Sequence, residues 1–269
     1  MATDDVLTEL KDGVLYLTLN RPAKLNALST ELRAALVGVL EDAAANRDAR
    51  CVVLTGAGRG FCSGGDILGM EMSASGGGGE PAPTFEDTVA NLRHDEQASY
   101  LLHSMPKVTI AAVNGPAAGA GLCLALAADL RIAAESARFG TAFARVGFAG
   151  DYGGTWTLTR LVGPAKAREL YFLPDIIDAK EAYRIGLVNR VCSTESFRDE
   201  VHAIAKRIAN GPTVAYRHMK ANLNAALTCD FADLLDREAM GQILAARSED
   251  HREARRAFLE KRAPVFKGR

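Results

Sequence analysis

Two stretches decide the fold of this chain: TGAGRGFCSGGDI (Thr55–Ile67) and NGPAAGAGLCLAL (Asn114–Leu126). Each continues a short apolar run, Cys51 to Thr55 in one case and Val108 to Val113 in the other. Each then runs into glycine and alanine, so backbone can approach a ligand with no side chain between. Ala120 to Ala128 reads as an apolar helix whose first turn carries free N–H groups and the positive end of the helix dipole. Backbone N–H groups converging on one point make an oxyanion hole, with each donor contributing about 3 kcal/mol to a developing negative oxygen. Tight packing of strand on helix through glycines explains the same spacing as well. A nucleotide site fits less: a dinucleotide turn begun at Gly56 and Gly58 needs a glycine where Phe61 stands, and there is no Gly-Lys-Ser or Gly-Lys-Thr for a phosphate loop.

Working outward, Val6 to Leu10 and Val14 to Asn20 predict a hairpin about Asp12-Gly13. Ser29 predicts an N-cap, and Leu32, Leu36 and Leu40 a helix to about Asn46. A helix is expected from about Phe85 to Met105, so strands and helices alternate as in an α/β core. From Thr194 onward the pattern is helical throughout (194–210, 213–227, 231–247 and 250–261). The expected division is therefore a core over residues 1–193 and a helical region over 194–269. SASGGGGEPAPT (Ser73–Thr84) reads as a mobile surface loop.

At 269 residues, with 48% hydrophobic and 24% charged side chains, the chain can bury a substantial core. Its 32 Lys and Arg against 33 Asp and Glu leave a net charge of -1, which argues against nucleic acid or an anionic membrane as partner. The five cysteines are scattered, with no metal-ligand spacing, and are expected as buried free thiols with no bound metal. The first residues have neither the basic nor the apolar part of a secretion signal, and no run spans a membrane, so a cytoplasmic enzyme is expected.

NRPAKLNALS (Asn20–Ser29), GFCSGGDI (Gly60–Ile67), AAVNGPAAGAG (Ala111–Gly121), YGGTWTLTRLVG (Tyr152–Gly163), AYRIGLVNRV (Ala182–Val191) and RAFLEKRAPVF (Arg256–Phe266) follow one another in the order and spacing of the crotonase, or enoyl-CoA hydratase/isomerase, superfamily. The chain resembles that family over most of its length. The resemblance implies an α/β fold, a crotonase (ClpP-like) ββα spiral core with a C-terminal helical oligomerisation region. It also implies an acyl-CoA thioester substrate, no permanently bound cofactor beyond the coenzyme A of that substrate, and a homotrimer or dimer of trimers.

Carried over position by position, the resemblance places the two oxyanion N–H groups on Gly65 and Ala120. Coenzyme A contacts fall on Ala23, Lys24 and Leu25, with adenine near Asp66, Ile67 and Leu68. Lys24 also fits a plain solvated lysine. Phe258 and Lys261 are candidates for contacts to the coenzyme A of a neighbouring subunit.

The departures from the pattern bear on the reaction. Hydratases of the family carry two glutamates, and here those slots hold Cys123 and Phe143, neither of which can activate water. Phe143 is left as part of the acyl pocket. Asp151, in AGDYGGTW (Ala149–Trp156), matches the single catalytic aspartate of dienoyl-CoA isomerases and ring-epoxide phenylacetyl-CoA isomerases, and is the expected base for a double-bond shift. An N-cap role for Asp151, on a helix beginning near Gly153, is the other reading. Dehalogenase chemistry is disfavoured, because Phe143 stands where that reaction needs tryptophan. An altered hydratase and a non-catalytic acyl-CoA-binding relative remain the alternatives to an isomerase.

Overall fold

The computed structural model describes residues 4–67 and 83–269. The hairpin forms as expected: β1 (Val6–Lys11) and β2 (Val14–Leu19) pair antiparallel, with Asp12 and Gly13 both at positive φ between them. Every later pairing in the main sheet is parallel. β2 pairs with β3 (Cys51–Gly56), β3 with β4 (Val108–Val113), β4 with β6 (Leu130–Ala134) and β6 with β9 (Arg190–Cys192). Parallel strands covered on both faces read as unbroken apolar runs, and CVVLTG and VTIAAV are such runs.

Alternation along these strands divides the core in two. Leu17, Val52, Leu54, Ala111 and Val113 face α1 (Thr30–Ala45), which Ser29 caps through the Leu32 N–H, and the apolar α4 (Ala120–Ala127). Val14, Cys51, Val53, Ile110 and Ile132 face α7 (Phe197–Ala209), through Phe197, Val201 and Ala205. α7 therefore packs on the sheet, although it follows the division expected after residue 193. A small second sheet joins β5 (Ala117–Ala118), β7 (Arg138–Gly140) and β8 (Ile177–Asp178).

The helix expected over 85–105 is two helices, α2 (Phe85–Asp95) and α3 (Gln97–Ser104), which meet at Glu96. α2 has no buried residue, whereas α3 buries Ala98, Ser99 and Leu102. The break lets the chain pass from solvent into the core. α5 (Gly154–Phe172) is interrupted at Gly163, φ 78 and ψ 161, just before Pro164. After α6 (Ala179–Arg184) and α7 come α8 (Thr213–Ala225), α9 (Phe231–Ala246) and α10 (Glu249–Leu259). These last three helices leave Leu223, Phe231, Met240, Ile243, Phe258 and Leu259 exposed. Four of the five cysteines are buried, and all are free thiols. No helix among the described residues is long and apolar enough to cross a membrane. The glycine-rich tract from Ser73 lies outside the described residues except for its last two, Pro83 and Thr84, of which Thr84 caps α2.

Candidate active site

Both glycine-rich junctions meet at one place. The Phe61 and Cys62 N–H groups donate to the Pro116 carbonyl, and the Ala118 N–H donates back to the Cys62 carbonyl at 2.9 Å. Gly64 must be glycine: its φ is +93, and an added Cβ would lie 2.9 Å from the Ala118 carbonyl and 3.5 Å from the Ala120 nitrogen. A Cβ on Gly121 would lie 2.3 Å from the Cys62 carbonyl. Two buried or half-buried asparagines fasten the turn. Asn26 Nδ2 donates to the carbonyls of Ala57, Gly60 and Phe61, and Asn114 Nδ2 donates to those of Gly56 and Gly58. The sequence reading did not single out either, because an asparagine that crosslinks a loop has no local signature.

Ala120 is the first residue of α4, whose N-cap, Gly119, supplies no side-chain hydrogen bond, and no acid stands in its first turn. Among the hydrogen bonds of the described residues, neither the Gly65 nor the Ala120 N–H has a protein acceptor. Two backbone donors at adjoining turns, one at the positive end of a buried helix, form an arrangement able to receive negative charge on oxygen.

The facing wall is made of side chains. Cys123 is buried one turn into α4, and a Cβ on Gly154 would lie 2.3 Å from its Sγ and 2.6 Å from the Tyr171 hydroxyl. Burial and the nearby Asp151 push the Cys123 thiol up, so it stays protonated. The buried Phe143 ring stacks on Tyr171 with centroids 6.0 Å apart. It spans the cleft, with Cε1 3.8 Å from the Cβ position of Gly119 and Cδ2 3.7 Å from that of Gly150.

Asp151 follows Gly150. Its Oδ1 is buried with no hydrogen-bond partner among the described residues. Burial, and then the charge of Glu96, push its carboxyl up to about 6, with Arg33 opposing. Helix α5 is capped by Gly153 at φ 70 with no side-chain cap bond. The N-cap role considered for Asp151 is therefore not taken. Asp151 contributes only its carbonyl, which accepts the Gly154 N–H. Glu96 went unnoticed in the sequence because it lies far from Asp151 along the chain and belongs to no motif.

Of the other expected site residues, Ala23 and Lys24 lie exposed in a short 3-10 turn, with Leu25 closing it at φ 49. Ser63 binds this turn, its N–H donating to the Leu25 carbonyl and its hydroxyl to that of Lys24, two residues before Gly65. Asp66 pairs with Arg21 at 3.0 Å, and Ile67 is exposed. Leu68 lies outside the described residues. Phe258, in the last turn of α10, and Lys261, just beyond it, are exposed and make no side-chain hydrogen bond to this site among the described residues. A cavity of about 490 Å³ opens at the other end of α4, lined by Trp156, Leu223 and Lys220. There the Lys220 ammonium is fully engaged by Asp129 and the carbonyls of Leu102 and Lys107. Among the described residues no three His, Cys, Asp or Glu side chains gather as a metal would need.

The sequence pattern of the family described as enoyl-CoA hydratase/isomerase matches residues 9–269. The chain belongs to the enoyl-CoA hydratase/isomerase family. It is 40% identical over 264 residues to the 1,2-epoxyphenylacetyl-CoA isomerase of Escherichia coli K12, covering 98% of each chain. It is 36% identical over 275 residues to the crotonyl-CoA hydratase of Syntrophomonas wolfei, covering 99% of each. The crystal structure of an enoyl-CoA hydratase from Bacillus anthracis superposes with a TM-score of 0.90 at 30% identity, over 99% of this chain and all of that one. The α/β architecture is thus the crotonase fold, and the chain is an enzyme of isomerase or lyase type.

Proposed function

We propose that this enzyme is an acyl-CoA isomerase: Asp151 takes a proton from a carbon of the acyl chain and returns one to another carbon. The Gly65 and Ala120 N–H groups hold the thioester oxygen while the enolate exists. No water is added and nothing is oxidised. The observation that carries this reading is the half-buried Asp151 carboxyl, whose Oδ1 is buried with no hydrogen-bond partner among the described residues, and which is raised to about 6. A group that titrates there can both accept and give back a proton near neutral pH. Cys123 and Phe143 support it from the other side, since neither can hold an attacking water. The 1,2-epoxyphenylacetyl-CoA isomerase of Escherichia coli among the relatives supports an isomerase over a hydratase.

Substrate binding is assigned to the turn of Ala23, Lys24 and Leu25 and to Asp66, Ile67 and Leu68, with Phe143 lining the acyl pocket. Phe258 and Lys261 are assigned to a neighbouring subunit's coenzyme A. Exposed apolar side chains on α8, α9 and α10 support self-association as a trimer or a pair of trimers. The free thiols fit a reducing compartment such as the cytoplasm.

Incubation with enoyl- and dienoyl-CoA panels in heavy water, followed by mass spectrometry, tests the reaction. Deuterium enters the acyl chain with wild type and not with Asp151→Asn. Equal exchange by both proteins refutes the role of Asp151. Rapid hydration of crotonyl-CoA by wild type, the reaction in the name of the Syntrophomonas relative, refutes the reading of Cys123 and Phe143.

A further inference from the structure

The segment that carries Asp151 is unusual in its backbone. Gly150, Tyr152 and Gly153 all have positive φ, 106, 49 and 70. Tyr152 is a buried non-glycine residue, and such a residue holds a left-handed conformation only where its surroundings impose it. Two hydrogen-bonded connections come from the helix that follows: the Gly154 N–H to the Asp151 carbonyl, and the Thr157 N–H and hydroxyl to the Gly153 carbonyl. One comes from elsewhere in the fold. Glu96, the half-buried residue at the break between α2 and α3, accepts the Tyr152 N–H on Oε1 at 3.1 Å.

We propose that Glu96 is a positioning residue for Asp151: its carboxylate fastens the Tyr152 N–H and so fixes where the Asp151 side chain stands, while its charge acts on Asp151 across the pocket wall. This rests on the reading of Asp151 as the proton carrier. The helix break at Glu96 gains a purpose on this account, because it turns one carboxylate toward the Asp151 segment as the chain enters the core.

Other groups also face Asp151. Arg33 of α1 opposes Glu96 electrostatically, and is itself paired with Asp95 of α2 at 3.2 Å. Cys123 of α4, Tyr171 of α5 and the adjacent Tyr152 stay protonated, their ionisation suppressed by burial. Burial is the larger cause that keeps Asp151 from ionising early, and the negative charge of Glu96 adds to it.

The test separates the two functions of Glu96. Glu96→Gln keeps an acceptor for the Tyr152 N–H and removes the charge; Glu96→Ala removes both. Rates of deuterium exchange into an enoyl-CoA substrate are measured from pH 4.5 to 9, with Asp151→Asn alongside. The base works ionised, so the wild-type rate falls on the acid side. Glu96→Gln moves that acid limb to lower pH by roughly half a unit or more, with its plateau within about threefold of wild type. Glu96→Ala lowers the plateau kcat about tenfold or more with little change in KM, as loss of positioning requires.

A role confined to structure would leave the acid limb in place. If Asp151→Asn exchanges like wild type, the proton-carrier reading falls and this proposal with it. If Asp151→Asn is inactive, but Glu96→Gln keeps the wild-type acid limb or Glu96→Ala the wild-type plateau, only the Glu96 proposal falls. A readout without turnover applies as well. The pH midpoint of the melting-temperature difference between proteins with and without Asp151 moves lower in a Glu96→Gln background, and an unmoved midpoint overturns the proposal.

Discussion

The pocket has two walls made by different means. Toward Gly65 and Ala120 it is backbone: glycines that admit no Cβ, two asparagines tying carbonyls, and two N–H groups without acceptors among the described residues. Toward Asp151 it is side chains: Cys123, Phe143, Tyr171 and a carboxylate held against its preference for water. The first wall can bind the oxygen of any thioester, because an N–H reads charge and position only. On the proposed reading the second decides what happens to the bound acyl group, so that substitutions there would change the reaction while the first stays intact. This is why membership of the family and the identity of the reaction are separate questions in this chain.

The difference can be broken from either side. Asp151→Asn has the largest expected effect, lowering kcat by about 10²- to 10⁴-fold, the range for loss of a general base, with the melting temperature unharmed. Gly64→Ala strikes the backbone wall. The new methyl displaces the Ala118 carbonyl, and a loss of about 10²-fold in kcat is expected, as for one misplaced oxyanion donor, together with lower thermal stability.

The side-chain wall should also carry a stability penalty that the backbone wall lacks. Asp151 is raised from 3.8 to about 6, so its neutral form is favoured on folding. A carboxyl shifted upward contributes stability below its unfolded value, and that contribution is lost as pH rises through its folded value, here between about 4 and 6. Asp151→Asn should therefore raise stability at pH 7.5, by about 1 kcal/mol after allowing for partial solvent screening, and by nothing near pH 4; thermal melts at the two pH values measure it. The smallest effect belongs to Ala120→Gly, which keeps the N–H. Its kcat should stay within about threefold, while the helix loses up to about 1 kcal/mol. A large fall in kcat there would show that the Ala120 methyl, and not the N–H alone, matters to the site.

What the sequence made legible follows the same division. The hairpin at Asp12-Gly13, the Ser29 cap and both glycine junctions are local, and local chemistry predicts them. Cys123 and Phe143 were readable as departures from a pattern. The break at Glu96 was not, since nothing in the sequence near it forbids a continuous helix, and its partner is 56 residues away. The packing of α7 on the second face of the sheet was likewise hidden, because an amphipathic helix does not name the surface that it covers. Asp151 was legible as a candidate base or a helix cap, and the structure removes only the second reading, since Gly153, not Asp151, caps the helix.

The interruption at Gly163 has its own consequence. Gly154 and Tyr171 both press on Cys123, yet 17 residues of unbroken helix would hold them about 25 Å apart. The segment must double back at Gly163, so the side-chain wall of the pocket is gripped by a clasp whose two arms share one pivot. Any residue at the pivot that refuses a positive φ would open both arms together, withdrawing the tyrosine from the cleft and loosening the start of the helix beside Asp151 in a single movement.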